Sequence, residues 1–299
     1  MIENLRTIEF EVTDQLDDII VKLNKLALEE DYVFRGCSKE KEMLPKVNRD
    51  EDFQSNEDEM LLDFEKYGSS YFHVSSPIDF MSYAQHFGIP TRLLDFTYNP
   101  FIALSFALHI NKANNPADDR KYYIYYASRK DNIVLPCIMY SNTFDSIAHP
   151  SESIAEKACR CITTVEDTYK KGAIRNIRDI YDYDNEKFVP DGKKSRSNTE
   201  DRMRSDQAKF KKGTILFIEP NQANQRIIMQ QGLFMFPCTT DKEKHMKIIQ
   251  ENTKRIVIPA EHRIKLLSFL DTLGYNTFRL MPDLGNICGE IKRRYQENA

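Results

Sequence analysis

The 299-residue chain has no tryptophan and contains only ten glycines and six cysteines. Its aromatic residues are 18 Phe and 15 Tyr, and 41% of all residues are hydrophobic, so a core of normal size can still be built. The cysteines include no C-x-x-C pair, and zinc ribbons need two ligand pairs at such spacing. We therefore predict no metal site and expect the cysteines to be small apolar residues.

A marked excess of charge and long apolar runs are missing as well. The chain has 42 basic and 46 acidic residues, whereas a domain-wide grip on nucleic acid requires a basic surface. This balance of charge still allows a local basic patch on the surface. The longest apolar stretches, such as 101–108, are far shorter than the roughly 20 residues of a membrane span. Acids occupy the N-terminus where a signal peptide has a basic segment. We expect a cytoplasmic protein with no membrane contact.

Four common catalytic motifs are also absent, namely GxxxxGK[ST], GxGxxG, HExxH and GxSxG. The chain is therefore not a standard P-loop NTPase, dinucleotide dehydrogenase, zincin or α/β-hydrolase.

Residue periodicity predicts an α+β fold, with mixed small sheets and flanking helices. Helices are predicted at 13–30, from Asn56, over 76–88, from Asn99, over 260–273 and over 284–295. Strands are predicted at 32–34, 89–96, 121–128, 133–140, 214–219, 227–236 and 255–259. The chain is interpreted as a single domain over 1–299, with a helical N-terminal part (1–112) and a C-terminal helical cap (260–299). The charged segment 184–213 has the composition of a mobile insertion, and a loop that binds a partner or nucleic acid is the alternative.

The first candidate site is Phe34-Arg35-Gly36, where a charged residue follows an apolar strand. Arginine offers a planar, charged fork that suits phosphate or carboxylate. Glycine lets the backbone turn or a ligand approach it. Pairing of Arg35 with a buried acid that stabilises the fold is equally open.

The second candidate is the run QHFGIPTRLLD at 85–95. Its chemistry-bearing residues are His86, Thr91, Arg92 and Asp95. Alternate residues of a strand share a face, so Thr91 and Asp95 are expected on one face and Arg92 on the other. Polar groups in an apolar strand need partners or a function, so the run is either a site or a buried structural network.

The third candidate is RIIMQQGLFMF at 226–236. Here Gln230 and Gly232 interrupt an apolar strand. That pattern is typical of a bulge beside a pocket, although an ordinary edge strand would also explain it.

In this order and wording the three runs resemble the FRG-domain family of bacterial proteins. The resemblance covers FRG (34–36), LP (44–45), Glu59, Phe64, AQHFGIPTRLLD (84–95), NP (99–100), ALSFA (103–107), FIEPN (217–221), Arg226, Gln230, GLF (232–234) and PDLG (282–285). Phe96 departs from it, because the family often has tryptophan there. The order of the runs is also loosely similar to that of mono-ADP-ribosyltransferases, which implies an ADP-ribosyltransferase-like fold.

The resemblance implies roles for individual residues. Catalytic roles fall on Arg35, His86, Thr91, Arg92, Asp95 and Gln230. Roles in binding the substrate NAD fall on Phe34, Arg35, Gly36, Thr97 and Phe106. Arg35 would hold the NAD pyrophosphate, and aromatic residues would enclose the nicotinamide. Gln230 stands where these transferases carry a glutamate, so Asp95 or Glu219 would have to supply the negative charge.

The resulting hypothesis is a toxin or antiviral defence effector that uses NAD as a substrate, with no permanently bound cofactor. It would act as an ADP-ribosyltransferase or an NAD glycohydrolase. The alternatives are a non-catalytic nucleotide-binding or nucleic-acid-binding module, and a metal-independent nuclease that uses His86 and Arg92. The sequence names no protein partner or antitoxin.

Overall fold

The protein is an α+β fold built on a mixed sheet, as the periodicity predicts. The computed structural model describes residues 7–29, 32–68, 70–71, 77–109, 121–129, 133–135, 181–182, 187–188, 216–220, 225–235 and 242–296. The predicted insertion at 184–213 lies outside the described residues apart from Lys187–Phe188.

Ten strands are present in the described residues. They are β1 (Thr7–Glu9), β2 (Tyr32–Cys37), β3 (Leu94–Thr97), β4 (Lys121–Ser128), β5 (Ile133–Leu135), β6 (Tyr181–Asp182), β7 (Lys187–Phe188), β8 (Leu216–Ile218), β9 (Gly232–Met235) and β10 (Lys254–Pro259). Eight of them form one sheet in the order β1-β10-β4-β2-β3-β9-β8-β5, and β6 pairs with β7 separately. The pairs β1·β10 and β5·β8 are parallel and the other pairs of the large sheet are antiparallel.

The α-helices of the described residues are α1 (Leu16–Glu29), α2 (Glu51–Ser55), α3 (Glu57–Gly68), α4 (Pro77–His86), α5 (Pro100–His109), α6 (Gln225–Gln230), α7 (Lys242–Asn252), α8 (Arg263–Thr272), α9 (Thr277–Leu280) and α10 (Leu284–Gln296). Short 3-10 turns lie at Glu40–Met43, Lys46–Asn48 and Ala260–His262. Among these helices none is long and apolar enough to cross a membrane.

Both faces of the sheet are covered by apolar side chains. On one face α1, α5 and α8 pack against β2, β4 and β10, and Phe34 lies in this cluster. On the other face Val33 and Cys37 pack with residues of β3, β8 and β9 and with Ile249 of α7. Alternate residues of β2 therefore point to opposite faces, as a strand requires.

Helix α5 lies unusually close to β2. A Cβ atom added at Gly36 would be 1.7 Å from the carbonyl oxygen of Ala103 and 2.8 Å from the nitrogen of Ala107. Glycine is therefore required at this position by the backbone of α5. We expected Gly36 to allow a turn or the approach of a ligand, and the close helix is the structural reason that the sequence did not reveal.

The sheet divides between β2 and β3. These neighbouring strands share one residue pair, Phe34 with Thr97, whereas β2 pairs with β4 over six residues and β3 with β9 over four. Beyond the shared pair the strands separate, and the gap between them positions the candidate site.

Two strand predictions were wrong in part. The predicted strand at 89–96 begins only at Leu94, because Gly88 has φ 102° and Ile89 still donates a backbone hydrogen bond to Ala84 of α4. The predicted strand at 227–236 is helix α6 followed by β9, joined by Gln231 at φ 47°. Gln230 therefore ends a helix and does not sit in a strand bulge. An apolar run of this length does not distinguish a buried strand from one helical turn.

Candidate functional site

A cavity of about 310 Å³ opens where β2 and β3 separate. Its apolar wall includes Phe34, Phe96, Phe106, Ile227, Leu233, Phe234 and Met281. Its charged residues are Arg35, Glu42, Lys46, Arg49, Asp95 and Arg226. Gly36, Thr97, Gln230 and Gly232 complete it. Four basic and two acidic residues around an aromatic wall suit an anionic ligand that carries a ring.

The cavity brings together most of the residues that the sequence singled out. Those that line it are Phe34, Arg35, Gly36, Asp95, Thr97, Phe106 and Gln230. His86, Thr91 and Arg92 are not among the lining residues. The roles assigned to all of these residues stay predictions.

Arg35 spans the gap in the sheet. Its Nη1 donates to the carbonyl oxygen of Asp95 on β3 at 2.6 Å, and its Nε and Nη2 donate to the carbonyl oxygen of Glu42 at 3.2 and 2.9 Å. The side chain is 12% exposed, and Oδ2 of Asp95 lies 3.9 Å from Nη1. Pairing with a fully buried acid is therefore not what holds Arg35, since the Asp95 side chain is 60% exposed.

Gln85 orients the carboxylate of Asp95 through a hydrogen bond. Nε2 of Gln85 donates to Oδ1 of Asp95 at 2.7 Å, and the buried Thr91 donates its hydroxyl to Oε1 of Gln85 at 2.5 Å. Two successive hydrogen bonds therefore connect Thr91 to Asp95, which lines the cavity. No role is predicted for Gln85 from the sequence, although it lies in the same run.

Arg92 is part of a buried structural network, which is one of the two alternatives that the sequence leaves for the 85–95 run. Its Nη2 contacts Oε2 of Glu57 at 2.6 Å, its Nε lies 3.1 Å from both carboxylate oxygens, and its backbone N–H donates to Oε1 at 3.1 Å. The two side chains are 12% and 6% exposed. This pair ties the 85–95 run to the start of α3.

Gln230 is held at the far wall. Its Nε2 donates to the carbonyl oxygen of Leu280 at 2.8 Å, and its own backbone carbonyl accepts from Oγ1 of Thr97 at 2.7 Å. Glu219 accepts a hydrogen bond from the Tyr98 hydroxyl at 2.5 Å and is not among the lining residues. Of the two acids that could replace a late-strand glutamate, Asp95 is the one at the cavity.

His86 is the last residue of α4 and lies near Arg226. Burial, followed by the positive charge of Arg226, lowers the pKa of the imidazole below its ordinary value, although the carboxylate of Asp283 acts in the opposite direction. The ring packs edge-on against Phe87, with ring centroids 4.8 Å apart. The neutral form of His86 is thus favoured beside Arg226, which lines the cavity.

Sequence reasoning missed several lining residues, among them Glu42, Lys46 and Arg49. All three lie in or beside the two short 3-10 turns between β2 and α2, where no periodicity indicates which side chains turn inward. Their only sequence signal was the cluster of charges that follows Phe34-Arg35-Gly36. Arg226 belonged to the family resemblance but received no role.

Comparison with known proteins gives one match. Residues 30–116 match the model of the FRG domain. No curated protein matches the chain, and no solved structure does. The matched segment contains β2, the 85–95 run and α5, and hence Arg35, Asp95 and Phe106. The strands that pair with β2 and β3, namely β4 and β9, come from beyond it. Residues 30–116 of the chain are therefore an FRG domain.

Proposed function

We propose that the FRG domain of this chain binds NAD in the cavity and breaks the bond between ribose and nicotinamide. The chain would act as an ADP-ribosyltransferase or NAD glycohydrolase, in a bacterial toxin or antiviral defence system. The observation that carries the proposal is that the Arg35 guanidinium and the Asp95 carboxylate adjoin one cavity that also has an aromatic wall.

The size of the cavity favours one part of the dinucleotide. Small-molecule sites occupy about 300–1,000 Å³, and 310 Å³ lies at the low end of that range. Such a volume suits nicotinamide and its ribose, with the rest of NAD extending toward the opening. Phe34 and Phe106 offer apolar surfaces for the nicotinamide ring.

The chemistry asks for a negative charge beside the ribose. When the bond from C1′ to the nicotinamide nitrogen breaks, its electron pair stays on the nicotinamide ring and positive charge builds on the ribose. A carboxylate fixed at that point stabilises the transition state. Water or an acceptor then attacks C1′ and loses its proton to solvent, with no change of oxidation state. Asp95 supplies the carboxylate, and Gln85 fixes its orientation.

Glu42 is a poorer candidate for this charge. Its carboxylate accepts hydrogen bonds from the Ser38 backbone at 2.6 Å, the Ser38 hydroxyl at 2.9 Å and the Lys39 backbone at 3.3 Å. Those bonds hold the carboxylate on its own loop. The Asp95 carboxylate is more exposed, and fewer hydrogen bonds hold it in place.

The test is release of nicotinamide from NAD by the purified chain, measured by chromatography with and without cell extract as a source of acceptor. Asp95→Asn should reduce release by about 100-fold to 1,000-fold, since it removes one electrostatic stabiliser of the transition state. Asp63→Asn, on the exposed surface of α3, is the matched control and should leave the rate unchanged. No release by the unmodified chain in any extract, or equal rates for Asp95→Asn and the control, would reject the proposal.

Binding without turnover is the second candidate, and Gln230 favours it. Gln230, whose amide donates to the Leu280 carbonyl, is an uncharged residue, whereas the resemblance to transferases calls for a glutamate. In that case NAD or ADP-ribose binds with no nicotinamide released, and Arg35→Ala abolishes binding while circular dichroism confirms the fold. Unchanged binding by that variant would end this candidate. The nuclease hypothesis gains nothing from the placement of His86 and Arg92, which do not line the cavity.

A further inference from the structure

Two arginines of the cavity meet at one backbone carbonyl. The oxygen of Glu42 accepts from Nη2 of Arg35 at 2.9 Å and from Nη2 of Arg49 at 3.0 Å. Two nitrogens bonded to one oxygen at these distances lie at most about 6 Å apart. Nε of Arg49 also donates to the Leu44 carbonyl at 2.9 Å, which fixes the second guanidinium as firmly as the first.

The positive charge of this pair is only partly balanced. Like charges at such separations repel, and because Arg49 is exposed, solvent screens part of this repulsion. Burial first, and then the charge of Arg35, lower the pKa of Arg49 below its ordinary value. The Glu42 carboxylate is turned to Ser38 and Lys39, and the Asp95 carboxylate is 60% exposed. Lys46, which lines the same cavity, adds a third positive charge.

Both guanidiniums retain donors for a ligand. Each has five N–H groups. Hydrogen bonds to backbone carbonyl oxygens use three of them on Arg35 and two on Arg49, and the Cys37 thiol is a further side-chain partner of Arg35. A carbonyl oxygen orients a guanidinium without neutralising it. The pair is therefore held in place with its positive charge only partly balanced, an arrangement that suits an anion with several oxygens.

We infer that Arg35 and Arg49, with Lys46 beside them, form a binding site for a diphosphate group. Arg49 and Lys46 have no role in the motif or in the resemblance. Three cations that line one cavity match the charge of two linked phosphates better than that of one. The inference rests on the proposed function in taking NAD as the natural ligand, yet the site itself requires no cleavage.

Binding of inorganic pyrophosphate and of inorganic phosphate, measured by calorimetry on the full chain, tests the inference. Pyrophosphate should bind at least about 10-fold more tightly than phosphate. Arg49→Gln should weaken pyrophosphate binding by about 10-fold to 100-fold, the range for a hydrogen bond to a charged group. Lys265→Gln removes one positive charge from the exposed surface of α8 and should have no effect.

Two further variants keep the test decisive if Arg49→Gln does not fold. Arg49→Lys retains charge but loses the fork, and Lys46→Gln changes an exposed side chain. Each should weaken pyrophosphate binding by a factor of a few. Unchanged affinity in both, or equal affinity of the unmodified chain for phosphate and pyrophosphate, would overturn the inference. Pyrophosphate binding without nicotinamide release leaves the site standing and rejects NAD cleavage. Nicotinamide release with an unchanged KM for NAD in Arg49→Gln supports NAD cleavage and rejects the diphosphate site.

Discussion

Replacement of Gly36 by alanine tests the close contact between β2 and α5. The new Cβ would stand 1.7 Å from the Ala103 carbonyl oxygen, 2.7 Å from the Ala103 carbonyl carbon and 2.8 Å from the Ala107 nitrogen. All three atoms belong to the backbone of α5, so no side-chain rotation relieves the overlap. Helix α5 would have to move away from β2 by about 1.5 Å or more to restore an ordinary contact.

Such a movement separates surfaces that are now fully buried, including those of Ala103, Leu104 and Ala107. Overpacking of a core typically costs 1–3 kcal/mol. Because the overlap here is with rigid backbone, we expect Gly36→Ala to lower the free energy of unfolding by about 3 kcal/mol or more. That is a large part of the roughly 5–15 kcal/mol that stabilises a typical domain.

Gly289 provides the matched control. It lies within α10, and an added Cβ there would meet nothing within 4 Å. Gly289→Ala should stabilise the chain by about 0.5–1 kcal/mol, since alanine loses less backbone entropy in a helix. Urea unfolding followed by far-UV circular dichroism measures both, and Gly36→Ala should lower the midpoint by about 1 M or more. Equal midpoints for the two variants would refute the close-packing argument.

Three other predictions concern single side chains. Glu57→Gln leaves the Arg92 charge buried without its carboxylate and should cost about 3–5 kcal/mol, whereas replacing both by apolar residues should recover much of the loss in the same urea assay. Burial raises the pKa of the Cys37 thiol to about 11, so iodoacetamide at neutral pH should modify the exposed Cys288 and leave Cys37 unmodified until the chain unfolds, as peptide mass spectrometry would reveal. Burial and a neighbouring guanidinium lower the pKa of His86, so the unfolded chain binds more protons below about pH 6.5; the free energy of unfolding should then fall as pH is lowered through that region, and His86→Gln should reduce the pH dependence of the urea midpoint.

Much of the fold could be predicted because local signals agreed with tertiary packing. Asn99 caps α5 through its side-chain oxygen, which accepts from the Phe101 backbone at 2.9 Å, and Pro100 begins the helix. Gly88 and Gly274 have positive φ after α4 and α8, where the sequence indicated helix ends. These elements are fixed by short-range chemistry. The sequence therefore located them within a few residues.

The errors arose where local chemistry was ambiguous or silent. The run 227–229 is apolar in a way that fits one helical turn or a strand, and only the pairing of β9 with β3 separates the alternatives. Helix α7 and strand β1 were not predicted, because short polar segments with weak periodicity give little indication of structure. The sequence also could not show that β2 and β3 separate after one residue pair, since that gap depends on the whole sheet.

The residues within each of the runs 34–36 and 85–95 are contiguous in sequence and have separate structural roles. Within the first, Phe34 is the residue of β2 that pairs with β3. Arg35 spans the gap between these strands, and Gly36 leaves room for the backbone of α5. Within the second, Gln85 orients Asp95 at the cavity, and Arg92 serves the ion pair that holds the run to α3.

Variants of these residues should therefore fail in different ways. Gly36 and Arg92 variants should lose stability first and activity as a consequence. An Asp95 variant should keep its stability, because its side chain is largely exposed, and lose whatever chemistry the cavity performs. Arg35 stands between the two groups, since its bonds to the Asp95 and Glu42 carbonyls contribute to the fold and its side chain lines the cavity. A loss of function in an Arg35 variant is thus informative only beside a measured free energy of unfolding, and Asp95 and Arg49 are the better probes of what the cavity binds.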